Sequence, residues 1–428
     1  MKRKQIEKLI TWKNSKKRKP VLLSGAKGVG KTYLAYDFAK AFFIDIFYMN
    51  FEMEPLCLTL FEPDDASVVA EKLLMHFNCV DNDAVENRIL ILDEITFCPK
   101  AFRHLIALEK SGVFPKIIVI ASSPIPKDFL PSFYNLEITP LQFDEFLVAT
   151  SNEWYIEAIT NHFQTNKPIP DIVHKELLTL HEQYMQIGGM PGIVNEYLNF
   201  HSTINIPEQH SHQFGAFHDN INKRFRDSDA LKMNQILDCM HLQLMKDNRK
   251  FQYKLIRKGT TYAMYKDAIQ YLKDNAFILP CYKQSTEQLV EANCDSYKSS
   301  TLEENTNFKL YHTDVGFLYS KIAEAAGIHS DPKIRKSLLE NYVAQSFYSQ
   351  GYPLMFWESD SMAKIDFILP KDNDLIPVEI HNTDNTRSKS ISILKQKYEF
   401  NYAVKISSKN FDFSNQIKYV PYYAVFCL

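Results

Sequence analysis

The chain has 428 residues, 45% apolar and 23% charged, with 49 Lys plus Arg against 51 Asp plus Glu. That length and composition suit two to four ordinary globular domains. A net charge of −2 excludes a uniformly basic nucleic-acid binder, so any such contact must come from local patches, and with only 12 Gly long flexible linkers are not expected.

In chain order, the first third alternates short β-branched runs with helical spacing. Val21-Leu22-Leu23 reads as a strand, Tyr33 to Phe43 as a helix, and Arg88 to Leu92 and Lys116 to Ile120 as buried strands. This alternation predicts an α/β domain over 1–150 with a largely parallel sheet. Ser151 to Phe200 is helical, interrupted by "IGGMPG" (Ile187 to Gly192), and a lid over 151–210 is expected. A helix over Leu231 to Met245, a basic segment, a helix over Tyr262 to Asp274 and the strand-like "AFILPCYKQ" follow. That order predicts a winged-helix domain over 211–295. The rest, 296–428, returns to α/β. The Cys residues at 57, 79, 98, 239, 281, 294 and 427 form no CxxC pair. They read as reduced structural thiols in a cytoplasm, not as a disulfide framework or zinc site. No apolar run approaches the ~18 residues of a membrane span. No h-region follows Met1-Lys2-Arg3-Lys4, so the expectation is a soluble cytoplasmic protein with no membrane partner.

"GAKGVGKT", from Gly25 to Thr32, fits G-x-x-x-x-G-K-[ST]. The spacing of Gly25, Gly28 and Gly30 lets backbone amides, those of Ala26, Lys27 and Val29 included, turn inward around phosphates at a helix N-terminus. Lys31 is expected on the β/γ-phosphates of ATP and Thr32 on Mg²⁺; Lys27, inside the loop, is expected on phosphate or pointing to solvent, and Tyr33, after Thr32, is counted with the nucleotide-binding set. "RILILDEI" supplies the second acid at a strand end: Asp93 for Mg²⁺ and Glu94 to deprotonate the attacking water. After "KIIVIASSP", either Ser122 or Ser123 is a candidate γ-phosphate sensor.

These motifs, with "ITPLQFDEF" (Ile138 to Phe146), "YMQIGGMPGIV", "KFQYKLIRKG", "FKLYHTDVGFL", "LLENYVAQ", "KIDFILP" and "PVEIHNTDNTRSKS", make the chain resemble a known group. It is similar, over nearly its whole length, to prokaryotic AAA-like P-loop ATPases carrying a restriction-endonuclease-like C-terminal domain of unassigned function. The resemblance implies that Gly189 and Pro191, in a GxP element of the lid, report nucleotide state. It also implies a Gly-Arg shortly before the "PL…EF" motif. Pro131-Ser132 stands there, and no Arg occurs between Arg103 and Arg224. An arginine at such a site is worth ~10³-fold or more in turnover, so slow hydrolysis is expected; Lys127 is a weaker substitute.

The C-terminal third is similar to the PD-(D/E)xK nuclease core, which implies Glu340 on a helix, Asp366 on a strand and Glu379 on the next, around Mg²⁺. The lysine that pattern places two residues after Glu379 is His381, and Lys364 stands where an acid is usual. A degenerate nuclease fold kept for binding is therefore expected. The basic segment 246–259 (Lys246, Arg249, Lys250, Lys254, Arg257 and Lys258, with Phe251 and Tyr253) suits phosphate-backbone contact by a winged helix, or a solvated rim. "KNSKKRKP" and Arg387 with Lys389 are further basic candidates. The expected function is an ATP-driven switch acting on DNA or RNA; a nucleotide-gated Mg²⁺ nuclease and a protein-interaction switch are the alternatives.

Overall fold

The β-branched runs of the first third form one wholly parallel sheet. The computed structural model describes residues 2–15, 19–79, 85–291, 307–326, 331–359, 363–371 and 373–428; Lys16, Lys17 and Arg18 of the N-terminal basic cluster, and Cys294, lie outside them. The chain divides into two compact units, Met1–Thr139 and Pro140–Leu428. The first comprises α1 (Gln5–Asn14), β1 (Val21–Ser24), α2 (Lys31–Phe42), β2 (Asp45–Asn50), α3 (Ala66–His76), β3 (Arg88–Asp93), α4 (Ala101–Ser111), β4 (Lys116–Ile120) and β5 (Tyr134–Glu137). Strand order is β2-β3-β4-β1-β5, with every adjacent pair parallel. β4 thus lies between the strand that feeds the glycine loop and the strand that ends at Asp93. β3 is buried at every position, which explains its unbroken apolar run: a parallel sheet is covered on both faces. On one face, Leu73 of α3 and Leu105 and Leu108 of α4 join Leu90, Leu92 and Val119 in one core.

The second unit comprises α5 (Phe143–Ala149), α6 (Trp154–Thr165), α7 (Asp171–Ile187), α8 (Pro191–Phe200), α9 (Ile206–Arg224), α10 (Asp227–Leu244), α11 (Tyr262–Asp274), β6 (Ile278–Gln284), α12 (Thr286–Glu291), β7 (Phe308–His312), α13 (Val315–Ala326), α14 (Pro332–Ser349), β8 (Met355–Glu358), β9 (Lys364–Ile365), β10 (Phe367–Lys371), β11 (Asp374–Ile380), α15 (Ser390–Lys395), β12 (Ala403–Ser407), β13 (Asp412–Ser414) and β14 (Ile417–Pro421). Its two sheets run β7-β6-β8-β9 and β10-β11-β12-β14-β13. β6 and β7 form an antiparallel pair after α10 and α11, and β6 also pairs parallel with β8. The expected division at 295/296 lies outside the described residues, between the paired strands β6 and β7. Segments 151–210, 211–295 and 296–428 all pack into this one unit: His181 of α7, for example, lies against Tyr342 of α14 and Tyr422.

α14 is buried from Ser337 to Phe347, so its polar side chains must find partners inside the protein. Asn341 exchanges two hydrogen bonds with the His312 backbone, at 2.8 and 3.0 Å. Gln345 accepts from Val315 N at 2.9 Å and donates to the Tyr184 hydroxyl at 2.8 Å. Ser337 donates to Leu244 O at 2.6 Å. At spacing i, i+4, i+8 these three form one stripe that ties α14 to α10, β7, the start of α13 and α7.

The "GGMPG" turn is fixed in the same way. Asp314 accepts from Gly189 N at 2.6 Å and from Gly316 N at 2.8 Å. A Cβ on Gly188 would stand 2.0 Å from its carboxylate, and a Cβ on Gly189 2.0 Å from Leu141 O. Burial pushes the Asp314 carboxyl up to about 7 despite the two amides. The clash at Gly189 is with backbone, so Gly189→Ala is expected to cost ~1–3 kcal/mol. Urea unfolding checks this; a midpoint equal to that of the parent chain would contradict the packing.

Candidate functional site

The glycine loop has the backbone its sequence implies. Gly25, Gly28 and Gly30 take φ of 132°, 90° and 92°, values that L-side chains rarely adopt. A Cβ on Gly25 would lie 2.2 Å from Ile138 O. Gly30 caps α2, whose N-terminal amides and partial positive charge face an anion site. Lys31 is buried, and its Nζ donates to Gly25 O at 2.9 Å and Ala26 O at 2.8 Å. The ammonium is thereby held over the loop by neutral carbonyls. Burial pushes it down to about 8, with Glu94 and Asp93 acting in the opposite direction.

Strand β3 delivers the acids. Thr32 Oγ1 donates to Asp93 Oδ2 at 2.7 Å, and the other oxygen, Oδ1, accepts from Glu94 N at 2.9 Å. Glu94 follows in left-handed backbone (φ 51°) and is buried. The Thr32–Asp93 pair is the donor set a hydrated Mg²⁺ requires, hard oxygens beside a phosphate cradle, so the residues fit the expected metal. Ser122 is buried just past β4 and Ser123 is half-buried beside it. Tyr33 is exposed, and Lys27 meets Glu52 at 3.0 Å. Lys127 is exposed on a 3-10 turn.

Three residues of this site were not read from sequence. Tyr48 donates to Asp93 Oδ2 at 2.9 Å and Asn50 donates to the Tyr48 hydroxyl at 3.3 Å; both come from β2, whose Asn50 is in register with Asp93. Arg3, 6% exposed, donates to Val29 O at 2.8 Å and Thr139 O at 2.6 Å. It bridges the back of the loop to the end of the unit. The β2 residues follow from the sheet order; nothing in the sequence connects Arg3 to a loop 26 residues away.

In the second unit, Asp366, Glu379 and His381 line a cleft of about 390 Å³ with Arg249, Lys309 and Lys336. Glu340, fully buried, lies behind it and pairs with Arg249 at 3.1 Å, Lys309 at 3.5 Å and Lys336 at 3.9 Å. Burial pushes its carboxyl up, but those three cations and the Tyr311 hydroxyl (3.1 Å) hold it well below the usual carboxylate range. Asp366 is not within a strand as expected: it occupies the bend between β9 and β10, where the chain changes sheets. Its Oδ2 accepts from Ile380 N at 2.8 Å and from Lys336 at 3.1 Å. Glu379 accepts from Ser388 at 2.7 Å and lies 3.3 Å from His381 and 3.5 Å from Lys405. Burial raises its carboxyl, and these partners lower it below its ordinary value.

The three acids thus share a site, but each is matched by a cation. Among the described residues, no three of Glu340, Asp366, Glu379 and His381 bring ligand atoms within 4.8 Å of one another. That arrangement does not fit the expected Mg²⁺ centre. Lys309, Lys336, Lys405 and Ser388 were not singled out from sequence. Arg249 was, as part of an outward basic patch; it points inward to Glu340, while Lys250 pairs with Glu358. Lys246, Lys254, Arg257 and Lys258 remain exposed, as do Arg387 and Lys389. Gly189 and Pro191 lie in the second unit, at the Asp314-bound turn and at the start of α8.

Comparison with known proteins agrees with the geometry of the first unit. Residues 17–147 match the family model of the AAA domain. Residues 178–328 match a Domain of unknown function (DUF8612), and 335–425 another Domain of unknown function (DUF4143). No curated protein matches the chain. Among solved structures it is similar to the Walker-type ATPase PABY2304 of Pyrococcus abyssi, at 15% identity over 75% of this chain and 95% of that one, TM-score 0.42. It is also similar to the ORC1 protein of Aeropyrum pernix, solved in complex with DNA, at 13% identity over 76% and 94%, TM-score 0.31. The AAA-domain match falls mostly in the first unit, where the glycine loop stands beside the hydrogen-bonded Thr32–Asp93 pair and Glu94 follows Asp93. No described helix is long and apolar enough to cross a membrane.

Removing the Glu340 charge leaves its three cations facing one another. Glu340→Gln is expected to destabilise the second unit by ~3–5 kcal/mol. Because the folded carboxyl is held below its ordinary 4.5, its contribution is complete above that pH and is lost as pH falls toward the folded value. Urea unfolding at neutral and acid pH should therefore show the variant's deficit shrinking on acidification. A deficit that grows would contradict the ion-pair account.

Proposed function

We propose that the chain is an ATP-binding, slowly hydrolysing AAA-like switch ATPase whose nucleotide state controls the second unit. The observation that carries this reading is the convergence of Lys31, Thr32 and Asp93 at the glycine loop with Glu94 next in sequence. Mg²⁺ supplies charge neutralisation at the phosphates. Loop amides and Lys31 bind phosphate oxygens, Thr32 and Asp93 hold the metal, and Glu94 takes the proton of the attacking water. Ser122 or Ser123 senses the terminal phosphate. The absence of any Arg between Arg103 and Arg224 supports slow turnover. Lys31→Ala should weaken ATP binding at least ~10-fold, while Glu94→Gln should keep binding and lower phosphate release ~10²-fold or more. Full binding and turnover in Lys31→Ala would overturn the reading.

The second unit is read as a nucleic-acid-associated output that binds rather than cuts, combining a winged-helix-like segment with a degenerate nuclease-like core. Its support is the cationic set around the cleft, with Lys333 and Lys364 exposed at the rim and Lys254, Arg257 and Lys258 exposed outside it. DNA or RNA binding should fall steeply with salt and weaken in Lys333→Glu with Lys364→Glu. Failure to bind at any salt concentration would favour the protein-interaction switch. Cleavage with Mg²⁺ or Mn²⁺ that is lost in Asp366→Ala would establish the nuclease alternative.

A further inference from the structure

In the first unit, outside the phosphate site, a turn and a helix end bring together one carboxylate, one thiol and one imidazole. Glu54 precedes a 3-10 turn over Pro55–Phe61 that carries Cys57, and His76 ends α3. One ligand atom from each of Glu54, Cys57 and His76 lies within 4.8 Å of the other two, the only such group among the described residues. The turn is held by Glu54 N donating to Asn50 O at 2.8 Å and Cys57 N donating to Glu54 O at 3.0 Å. Cys57 is buried against the core of the unit, whereas Glu54 and His76 are exposed.

From this geometry we infer a binding site for a borderline-soft divalent cation, Zn²⁺ by ligand type, formed by Glu54, Cys57 and His76. The Cys57 Sγ to Glu54 Oε2 separation is 3.7 Å, with the thiol donating. Metal–sulfur and metal–oxygen bonds of ~2.3 and ~2.1 Å meeting at a tetrahedral angle require a separation of about 3.6 Å. The thiol hydrogen bond therefore already sets the sulfur–oxygen edge of a metal tetrahedron. On binding, a sulfur–metal bond replaces the S–H bond and the proton leaves to solvent, with no change of oxidation state. Three protein ligands leave the fourth position to water on the exposed side. Glu52, two residues before Glu54, pairs with Lys27 of the phosphate loop at 3.0 Å, so an ion here braces the segment bordering that loop. The single Cys explains why cysteine spacing gave no sign of it.

The test uses the full chain, stripped with chelator and titrated with Zn²⁺ against a chromophoric competitor and separately with Co²⁺. One equivalent of Zn²⁺ and a sulfur-to-cobalt charge-transfer band are expected. Cys57→Ala and His76→Ala should each weaken binding at least ~100-fold and remove or shift the band, and Cys79→Ala should leave both unchanged. Metal-free thermal melts separate ligand loss from misfolding; if Cys57→Ala does not fold, His76→Ala, altered only at the surface, decides the matter. Absence of a stoichiometric equivalent, or binding unchanged in folded His76→Ala, overturns the site.

Discussion

A carboxylate with no access to water organises the second unit. Moving an ion of that size out of water costs several kcal/mol even after relaxation, and only close opposite charges offset it. Glu340 is placed there because α14 is enclosed on all sides, and it recruits Arg249 from the segment after α10, Lys309 from β7 and Lys336 from its own helix. Lys336 passes the pairing on to Asp366, whose other contact is the Ile380 amide at the end of β11. One buried charge therefore fixes how a helix, a basic loop and strands of both sheets meet. The polar stripe of Ser337, Asn341 and Gln345 on the same helix does the equivalent work with neutral groups.

The phosphate site also buries charge but is partnered differently. Lys31 donates only to loop carbonyls among its described hydrogen bonds, which are weaker partners than carboxylates. Asp93 is met by hydroxyls and an amide. An anion and a hard cation can replace such partners at modest cost. In the cleft, a divalent ion would instead have to displace ammonium and guanidinium groups already bound to each acid. The two acidic sites therefore diverge in chemistry: one is arranged to exchange ligands, the other to keep the ones it has.

What was legible in the sequence follows from the same distinction. The glycine loop, the strand before it, the helix after it and the Asp93-Glu94 pair are local, and the apolar run "ILIL" (Ile89 to Leu92) announced a strand covered on both faces. Tyr48 and Asn50 become visible only with strand order, because register with β3 brings them to Asp93. Arg249 was misread because an Arg in a run of Lys reads as a solvated patch; its partner lies 91 positions away. The bend at Asp366 was hidden because "KIDFIL" alternates like one strand, while the Asp carboxylate takes over a ladder hydrogen bond and the chain changes sheets there. The pairing of β6 with β7 was not legible, because α12 and a further stretch of chain separate the two strands in sequence.

His381 shows how a local comparison can mislead about charge. Two residues past Glu379, it cannot supply the permanent cation a lysine would, which alone suggests a depleted site. Yet β12 lies parallel to β11 with Lys405 in register with Glu379, and residues paired across parallel strands share a face of the sheet. The Lys405 ammonium accordingly lies 3.5 Å from Glu379, its position fixed by a 2.6 Å hydrogen bond to Thr386 O. The positive charge absent from one strand is present on the next. With Lys309, Lys336 and Arg249 it leaves Glu340, Asp366 and Glu379 each paired with a cation that a metal would have to displace.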